Sequence, residues 1–231
     1  MSELFSIQLQ NRQQQGRDGV WLDLPTTTEQ VQAALRQIGI SSDNPQGLFI
    51  SGYFAEEEKR FAIPYNMVLA SNVDELNFLA ARLETLSAGE RAELNAALQA
   101  PQSELSSIGK ITDFPENVDY YVHLPEVHGH AQLGDYYLNR SGMVDMPEEW
   151  KGGIDTAQFG RYVAQQEQGA FTQYGYLVKS GDEWQKVHEG QPVPEEYRVL
   201  SFPAPEVLRD SANIPRLFSL KRNRRKLFPL S

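Results

Sequence analysis

Residues 71–100 read SNVDELNFLAARLETLSAGERAELNAALQA. Through its first half, apolar side chains recur every three or four residues, which is the period of an α-helix with one buried face. Asn72, or the serine before it, caps this helix. Ser87 with Glu90 three residues later forms a capping box, and Pro101 ends the second helix. The stretch therefore predicts a helical hairpin in the middle of the chain.

Upstream of the hairpin, the pattern predicts a small α+β unit. Thr26 and Glu29 form a capping box at the start of an amphipathic segment, which predicts a helix. Alternating or continuous apolar runs around that helix predict three strands, at residues 4–10, 19–24 and 47–54.

Downstream of residue 113 the pattern again mixes strands and helices. Asp155 is placed to cap a helix over residues 155–166. The other predicted elements are a strand at 118–124, a short helix within 129–142, a hairpin that pairs 170–179 with 183–188 through Ser180-Gly181-Asp182, and a strand at 194–203.

The charge of the chain is unevenly distributed. It has 31 acidic and 21 basic side chains and a net charge of -10. Six of the bases and no acid follow Pro215, which leaves 31 acids against 15 bases before it, a net of -16. A body of this charge repels phosphates, which argues against nucleic acid as its partner and favours a basic protein surface or simple solubility.

The basic tail is the group Lys221, Arg222, Arg224, Arg225 and Lys226 within residues 216–231. Two interpretations of it stay open. It is an exposed arm that contacts nucleic acid or an anionic surface, or it folds back onto the acidic body of its own chain.

The sequence shows no constellation of catalytic residues. Phosphate-binding glycine motifs and the G-x-S-x-G elbow are absent, and the chain has no cysteine. No signal peptide and no membrane span are visible, which predicts a cytoplasmic protein. The enzyme-like feature is His123, His128 and His130, whose spacing allows a metal hydrolase as an alternative. The prediction is a protein that is not an enzyme and needs no cofactor or metal.

The order of several motifs resembles the ArdA antirestriction proteins of mobile genetic elements. The family's "G-x-W-x-x-L-P" strand is similar to GVWLDLP (19–25), and its "ELN-x-LA" helix to SNVDELNFLAARLETL (71–86). Its "LG-x-YY" helix is similar to LGDYYLNRSG (133–142). Its antirestriction segment, close to "P-x-x-L-x-x-YID-x-x-x-YGRD", is similar to residues 147–162. GLFISGY (47–53) lies where the family has a strand that leads into a "DYE"-like element.

This chain departs from the family pattern at several positions. Trp150 stands where leucine is usual, Gly153 replaces the usual tyrosine, and Tyr162 replaces the usual aspartate. Gly52-Tyr53-Phe54 lacks both acids of "DYE". These changes leave open whether this copy has a different target.

The resemblance implies an elongated α+β protein of three small consecutive domains. Their predicted bounds are 1–60 (α+β), 61–112 (helical) and 113–190 (α+β, with the antirestriction-like segment 142–162), followed by the extension 191–231 with the basic tail.

The resemblance also implies a homodimeric DNA mimic that occupies the DNA-binding subunits of type I restriction–modification enzymes. Its acidic surface would comprise Asp74, Glu75, Glu84, Glu90, Glu93, Asp119, Glu126, Asp135, Glu148 and Glu149. The dimer or antirestriction segment would use Trp150, Ile154 and Phe159 as anchors, Asp155 as a helix cap and Arg161 in an ion pair, either local or across the dimer axis.

A different class of function stays open beside this one. The chain could be a regulatory or anti-defence binding protein of a mobile element, for example an inhibitor of a CRISPR effector, with the basic tail on nucleic acid.

Overall fold

The computed structural model describes residues 4–14, 18–56, 60–101 and 103–205. Residues 206–231, which include the basic tail, lie outside the described residues. Within the described ranges, the chain forms six strands and eight α-helices. The strands are β1 (Phe5–Asn11), β2 (Val20–Leu24), β3 (Leu48–Phe54), β4 (Tyr121–Leu124), β5 (Ala170–Thr172) and β6 (Gly175–Lys179). The helices are α1 (Thr28–Gln37), α2 (Tyr65–Leu69), α3 (Val73–Glu84), α4 (Ala88–Gln99), α5 (Ile108–Thr112), α6 (His130–Asn139), α7 (Glu148–Lys151) and α8 (Thr156–Glu167).

Two antiparallel sheets organise these elements and confirm the α+β class. The first sheet has the order β2-β1-β3, and the second has the order β4-β6-β5. Side chains alternate along β1, so that Ile7 and Leu9 are fully buried while Gln8 and Gln10 lie on the outer face. Helix α1 covers the buried face with Val31 and Leu35.

The predicted helical hairpin is confirmed as α3 and α4. Asn72 caps α3 in a capping box with Glu75, and Ser87 caps α4 in a capping box with Glu90. The first capping box upstream lies one residue later than predicted. Thr27 rather than Thr26 caps α1, with Gln30 as the partner in the box, and the amide of Thr26 donates to the Asn77 side chain of α3 at 2.7 Å.

Two buried asparagines of the hairpin join separate parts of the chain. The Asn77 amide group, 3% exposed, accepts the Thr26 bond and donates to the carbonyl of Tyr197 at 3.0 Å. Asn95 of α4 binds the segment before α2 in the same way. Its side chain accepts from the Ala62 amide and donates to the Arg60 carbonyl. Each asparagine thereby satisfies backbone groups that burial would otherwise leave without a partner.

The second sheet differs from the predicted hairpin. The turn lies inside residues 170–179, where β5 and β6 pair with each other, and β6 also pairs with β4. Residues 183–188 are not a strand, because the backbone amides of residues 187–189 donate to the buried carboxylate of Asp113 instead. Residues 118–120 form a 3₁₀ turn, so β4 begins later than predicted.

The predicted strand at 194–203 is also wrong. A 3₁₀ turn at Glu195–Tyr197 leads into extended chain that lies against α3. The amides of Val199 and Leu200 donate to the Asp74 carboxylate at 2.7 Å each, so a side chain takes the place of a neighbouring strand. The Val199 side chain is buried.

The larger of two buried apolar clusters draws residues from Leu4 to Val199. It therefore receives side chains from each of the three predicted domains and from the predicted extension. The smaller cluster comprises Val127, Leu133, Ala164 and Tyr176, between α6, α8 and the second sheet. Division into three domains and an elongated shape stay predictions.

Candidate partner-binding surface

Helices α6 and α8 cross in direct backbone contact at two glycines. A Cβ atom on Gly134 would lie 2.0 Å from the carbonyl oxygen of Thr156, and one on Gly160 would lie 1.8 Å from that of His130. Any side chain at either position would push the helices apart. The glycines belong to the LGDYY and FGR motifs, so both motifs serve one helix crossing.

The end of α8 is tied to the same neighbours by hydroxyl groups. Tyr137 of α6 and Tyr176 of β6 both donate to the Glu167 carboxylate. Burial raises the pKa of both tyrosines, and the nearby Glu167 charge raises each pKa further. Both hydroxyls therefore stay protonated and hold α8 in place across the physiological pH range.

The antirestriction-like segment forms the approach to α8. Asp155 is its N-cap, as predicted, and its carboxylate accepts from the amides of Ala157 and Gln158. Trp150, in the single turn α7, is 66% exposed. Ile154 and Phe159 are half-buried.

Arg161 does not form the predicted local ion pair. Among the ion pairs of the described residues, none includes Arg161, and its side chain is exposed. The alternative, a pair across a dimer axis, stays a prediction.

Several acids of the predicted binding surface have structural roles. Asp74 holds residues 199–200, while Glu75 and Glu90 complete capping boxes. Asp135 is bound to Asn139 and Arg140, and Glu148 to Lys151. These carboxylates stabilise the fold locally. Glu84, another predicted surface acid, lies on α3 and is half-exposed.

Glu93 differs from the other predicted surface acids because it is half-buried between charges of its own sign. Burial, and then the carboxylates of Asp119 and Glu90, raise the pKa of Glu93 to about 8. Its Oε1 atom is buried without a hydrogen-bond partner among the described residues. Glu93 is therefore mostly neutral at pH 7, and it adds little to the negative field.

The remaining predicted surface acids are exposed and unpaired. Asp119, Glu126 and Glu149 form no ion pair with a described base. Six of the described bases are engaged elsewhere: ion pairs within the described residues hold Arg82, Lys110, Arg140, Lys151, Lys179 and Lys186. Asp145, Glu195 and Glu196 are also exposed and pair with no described base, although the sequence did not predict them as part of the binding surface.

The histidines of the alternative metal site do not come together. His123 contacts the Tyr174 carbonyl at 2.7 Å, His130 packs its ring against Phe171, and His128 is exposed. In the part of the chain that the structure describes, the one group with metal-compatible spacing is Asp113, Glu116 and His188. Asp113 there already accepts three backbone amides, and Glu116 is paired with Arg82.

Sequence reasoning missed two features of this molecule. Asp113 is completely buried and anchors residues 187–189, although its neighbours in the sequence gave no signal for a buried acid. Trp21 and Phe54 are about half exposed, at 49% and 53%, on strands whose alternation could have shown that both face outward.

These observations define an acidic α+β protein whose exposed carboxylates outnumber its available bases. Within the described residues, no helix has both the length and the apolar character needed to cross a bilayer. The family model "Antirestriction protein (ArdA)" matches residues 15–178, and the chain belongs to this family. No curated protein matched the chain.

Proposed function

We propose that this protein is a DNA mimic that inhibits type I restriction–modification enzymes by occupying their DNA-binding site. The observation that carries the proposal is the set of exposed carboxylates that pair with no described base, spread from Asp119 to Glu196. Membership of the antirestriction family supports the same class of activity.

The physical basis is the charge of DNA, about one negative charge per 1.7 Å of axis over both strands. An enzyme that binds this field with lysines and arginines also binds carboxylates presented at comparable density. Ion pairs within the described residues engage six bases, while the exposed acids named above pair with no described base, so the field around these acids stays negative. The binding is therefore expected to weaken as salt rises.

The antirestriction-like segment is proposed as the dimer contact. Trp150 is 66% exposed, and large exposed aromatic side chains are frequent anchors of interfaces. Ile154 and Phe159 are half-buried beside it and can lose further exposed area in a dimer. The Arg161 guanidinium, which has no ion pair among the described residues, is then available for an acid of the second copy.

Competition for the enzyme tests the proposal. The purified protein is titrated against a type I restriction–modification enzyme that holds labelled DNA, at two salt concentrations. We expect displacement of DNA at low salt and much weaker displacement at high salt. No displacement at low salt by folded protein would overturn the proposal.

Two variants separate a distributed field from a single essential residue. Glu149→Lys alone is expected to change inhibition by less than about threefold. A variant with six charge-reversing substitutions is expected to abolish inhibition, and circular dichroism shows whether it is folded. In this variant, lysine replaces Asp119, Glu126, Asp145, Glu149, Glu195 and Glu196. If Glu149→Lys alone abolished inhibition, charge mimicry would be the wrong mechanism.

The second candidate function is an anti-defence or regulatory binding protein whose basic tail contacts nucleic acid. The observation in its favour is the segment after Pro215, with six bases and no acid. A full-length variant with glutamine at the five basic-tail residues distinguishes the two. It should keep DNA displacement if the body is the mimic, and lose nucleic-acid binding if the tail provides it.

A further inference from the structure

The outer face of the first sheet carries three aromatic side chains. The strand register places Trp21 beside Gln8, Phe54 beside Ser6 and Phe49 beside Gln10, all on the face opposite to α1. Trp21 is 49% exposed and Phe54 53% exposed. A face with large exposed aromatic rings is a typical feature of a binding surface.

Gly52 fixes the orientation of the Trp21 ring. A Cβ atom on Gly52 of β3 would lie 3.0 Å from Cη2 of Trp21, which belongs to β2 at the other edge of the sheet. The indole therefore extends across β1 and reaches the backbone of β3. One side of the ring rests on the sheet, and the edge of Phe54 meets it with centroids 6.4 Å apart.

The charge beside Trp21 favours a cation as the ligand at that end of the face. Among the side chains of β1, β2 and β3 that point outward, the one charged group is Asp23, two residues from Trp21. One of its oxygens accepts from Ser6 at 2.6 Å, and the other has no hydrogen-bond partner among the described residues. A phosphate would be repelled here, and a purely apolar partner would leave the carboxylate without compensation.

The same face already holds one guanidinium over an aromatic ring. The Arg12 Cζ atom lies 5.2 Å from the centroid of Phe49. Arginine is suited to this arrangement because its planar group stacks on a ring and donates to a carboxylate at the same time. Lysine has a compact charge and cannot do both as well.

We propose that Trp21, Phe54 and Asp23 form an arginine-binding platform for a basic partner protein. The platform rests on the proposed function, since it specifies how one part of the acidic body recognises its basic target. An arginine of the partner stacks on the open face of Trp21 and pairs with Asp23. The platform adds a preference for arginine over lysine, which distributed carboxylates alone do not provide.

The first test is a titration of the full-length protein with hexa-arginine and hexa-lysine peptides at equal ionic strength. The indole N–H signals of the three tryptophans are followed by NMR. We expect the Trp21 signal to shift with both peptides, with a dissociation constant at least about threefold lower for hexa-arginine than for hexa-lysine. The Trp150 signal is expected not to shift. Equal affinity for both peptides, or an equal shift of all three signals, would overturn the platform.

Variants assign the binding to named side chains. Trp21→Phe should keep most of the arginine affinity, whereas Trp21→Leu should lose at least about threefold. Asp23→Asn should reduce the preference for arginine over lysine. Unchanged affinity in a folded Trp21→Leu protein would contradict the proposal. Thermal unfolding of both tryptophan variants separates lost binding from lost folding.

Two further experiments identify the source of the arginine and distinguish failure of the platform from failure of the proposed function. If glutamine at the five basic-tail residues shifts the Trp21 signal without peptide, the chain's own tail occupies the platform, which overturns the partner assignment. If wild type and Trp21→Leu displace DNA from the restriction enzyme equally, the platform fails while mimicry stands. If Trp21 binds hexa-arginine but no displacement occurs, mimicry fails and the platform stands.

Discussion

Gly134 of α6 and Gly160 of α8 face each other at the point where the two helices cross. A Cβ atom on Gly160 would lie 2.7 Å from the backbone nitrogen of Gly134, and one on Gly134 would lie 3.0 Å from that of Gly160. At this point the two helices are in direct backbone contact. This contact sets the position of α8, and with it the position of the antirestriction-like segment that leads into α8.

Replacing Gly160 by alanine is expected to destabilise the protein by about 2 kcal/mol or more, as overpacking does in a close-packed interior. The new methyl group would collide with the His130 carbonyl, which is backbone and cannot rotate away. Urea unfolding measures the loss. Gly152→Ala is the matched control, because a Cβ atom there meets nothing within 4 Å. Equal stability of the two variants would contradict the close crossing.

Asp113→Asn is expected to cost about 2–4 kcal/mol of unfolding free energy. The buried carboxylate accepts three amides, from residues 187, 188 and 189, and an amide side chain has one acceptor oxygen for them. Hydrogen exchange should show faster exchange of these three amides. The exposed Asp43→Asn is the control and should change neither quantity. Unchanged exchange at residues 187–189 would count against the anchor.

Glu93 predicts a particular dependence of stability on pH. Its pKa is about 8 in the folded protein and near the ordinary value of 4.5 in the unfolded chain, so the folded state binds the proton more tightly. The group therefore imposes no penalty below about pH 4.5, and a growing penalty as pH rises toward about 8. Glu93→Gln removes the charge and should be increasingly more stable than wild type across this window.

Chemical denaturation at pH 4.5, 6 and 8 measures that difference. Glu149→Gln is the control, since Glu149 is an exposed glutamate. A constant difference between wild type and Glu93→Gln at all three pH values would show that Glu93 is not buried in the way described.

Trp150→Ala is expected to weaken dimer formation at least about tenfold, because exposed tryptophans dominate the interfaces they enter. Sedimentation over a range of concentrations measures the dissociation constant. Val187→Ala is the control, since Val187 is 43% exposed and lies outside the antirestriction-like segment. A monomeric wild-type protein, or equal effects of Trp150→Ala and Val187→Ala, would show that Trp150 is not part of a dimer contact.

Local signals in the sequence located most of the helices and strands. The capping boxes at Ser87 and at Asn72 are interactions between near neighbours, and the helices α3 and α4 begin where they predict. Asp155 caps α8 for the same reason. The strands of the first sheet follow from side-chain alternation, which depends on burial of one face.

The errors occurred where a distant side chain replaced a strand as the partner of the backbone. Residues 183–188 and 194–203 alternate like strands, yet Asp113 and Asp74 bind their amides instead. Both carboxylates lie more than 70 positions away in the sequence. No local sequence pattern reveals such a partner, because the hydrogen bond forms only when folding brings the carboxylate and the distant amides together.

The sequence by itself determined the helical hairpin, the α+β class, the acidity of the body and the likeness to antirestriction proteins. These depend on near-neighbour spacing, on composition and on motif order. Tertiary structure alone decided which acids remain free, which are used to hold the fold, and that Glu93 is buried among like charges. It also turned Trp21 and Phe54 into a neighbouring pair on an open face. The reason is physical: the charge and exposure of a side chain depend on what long-range folding places beside it.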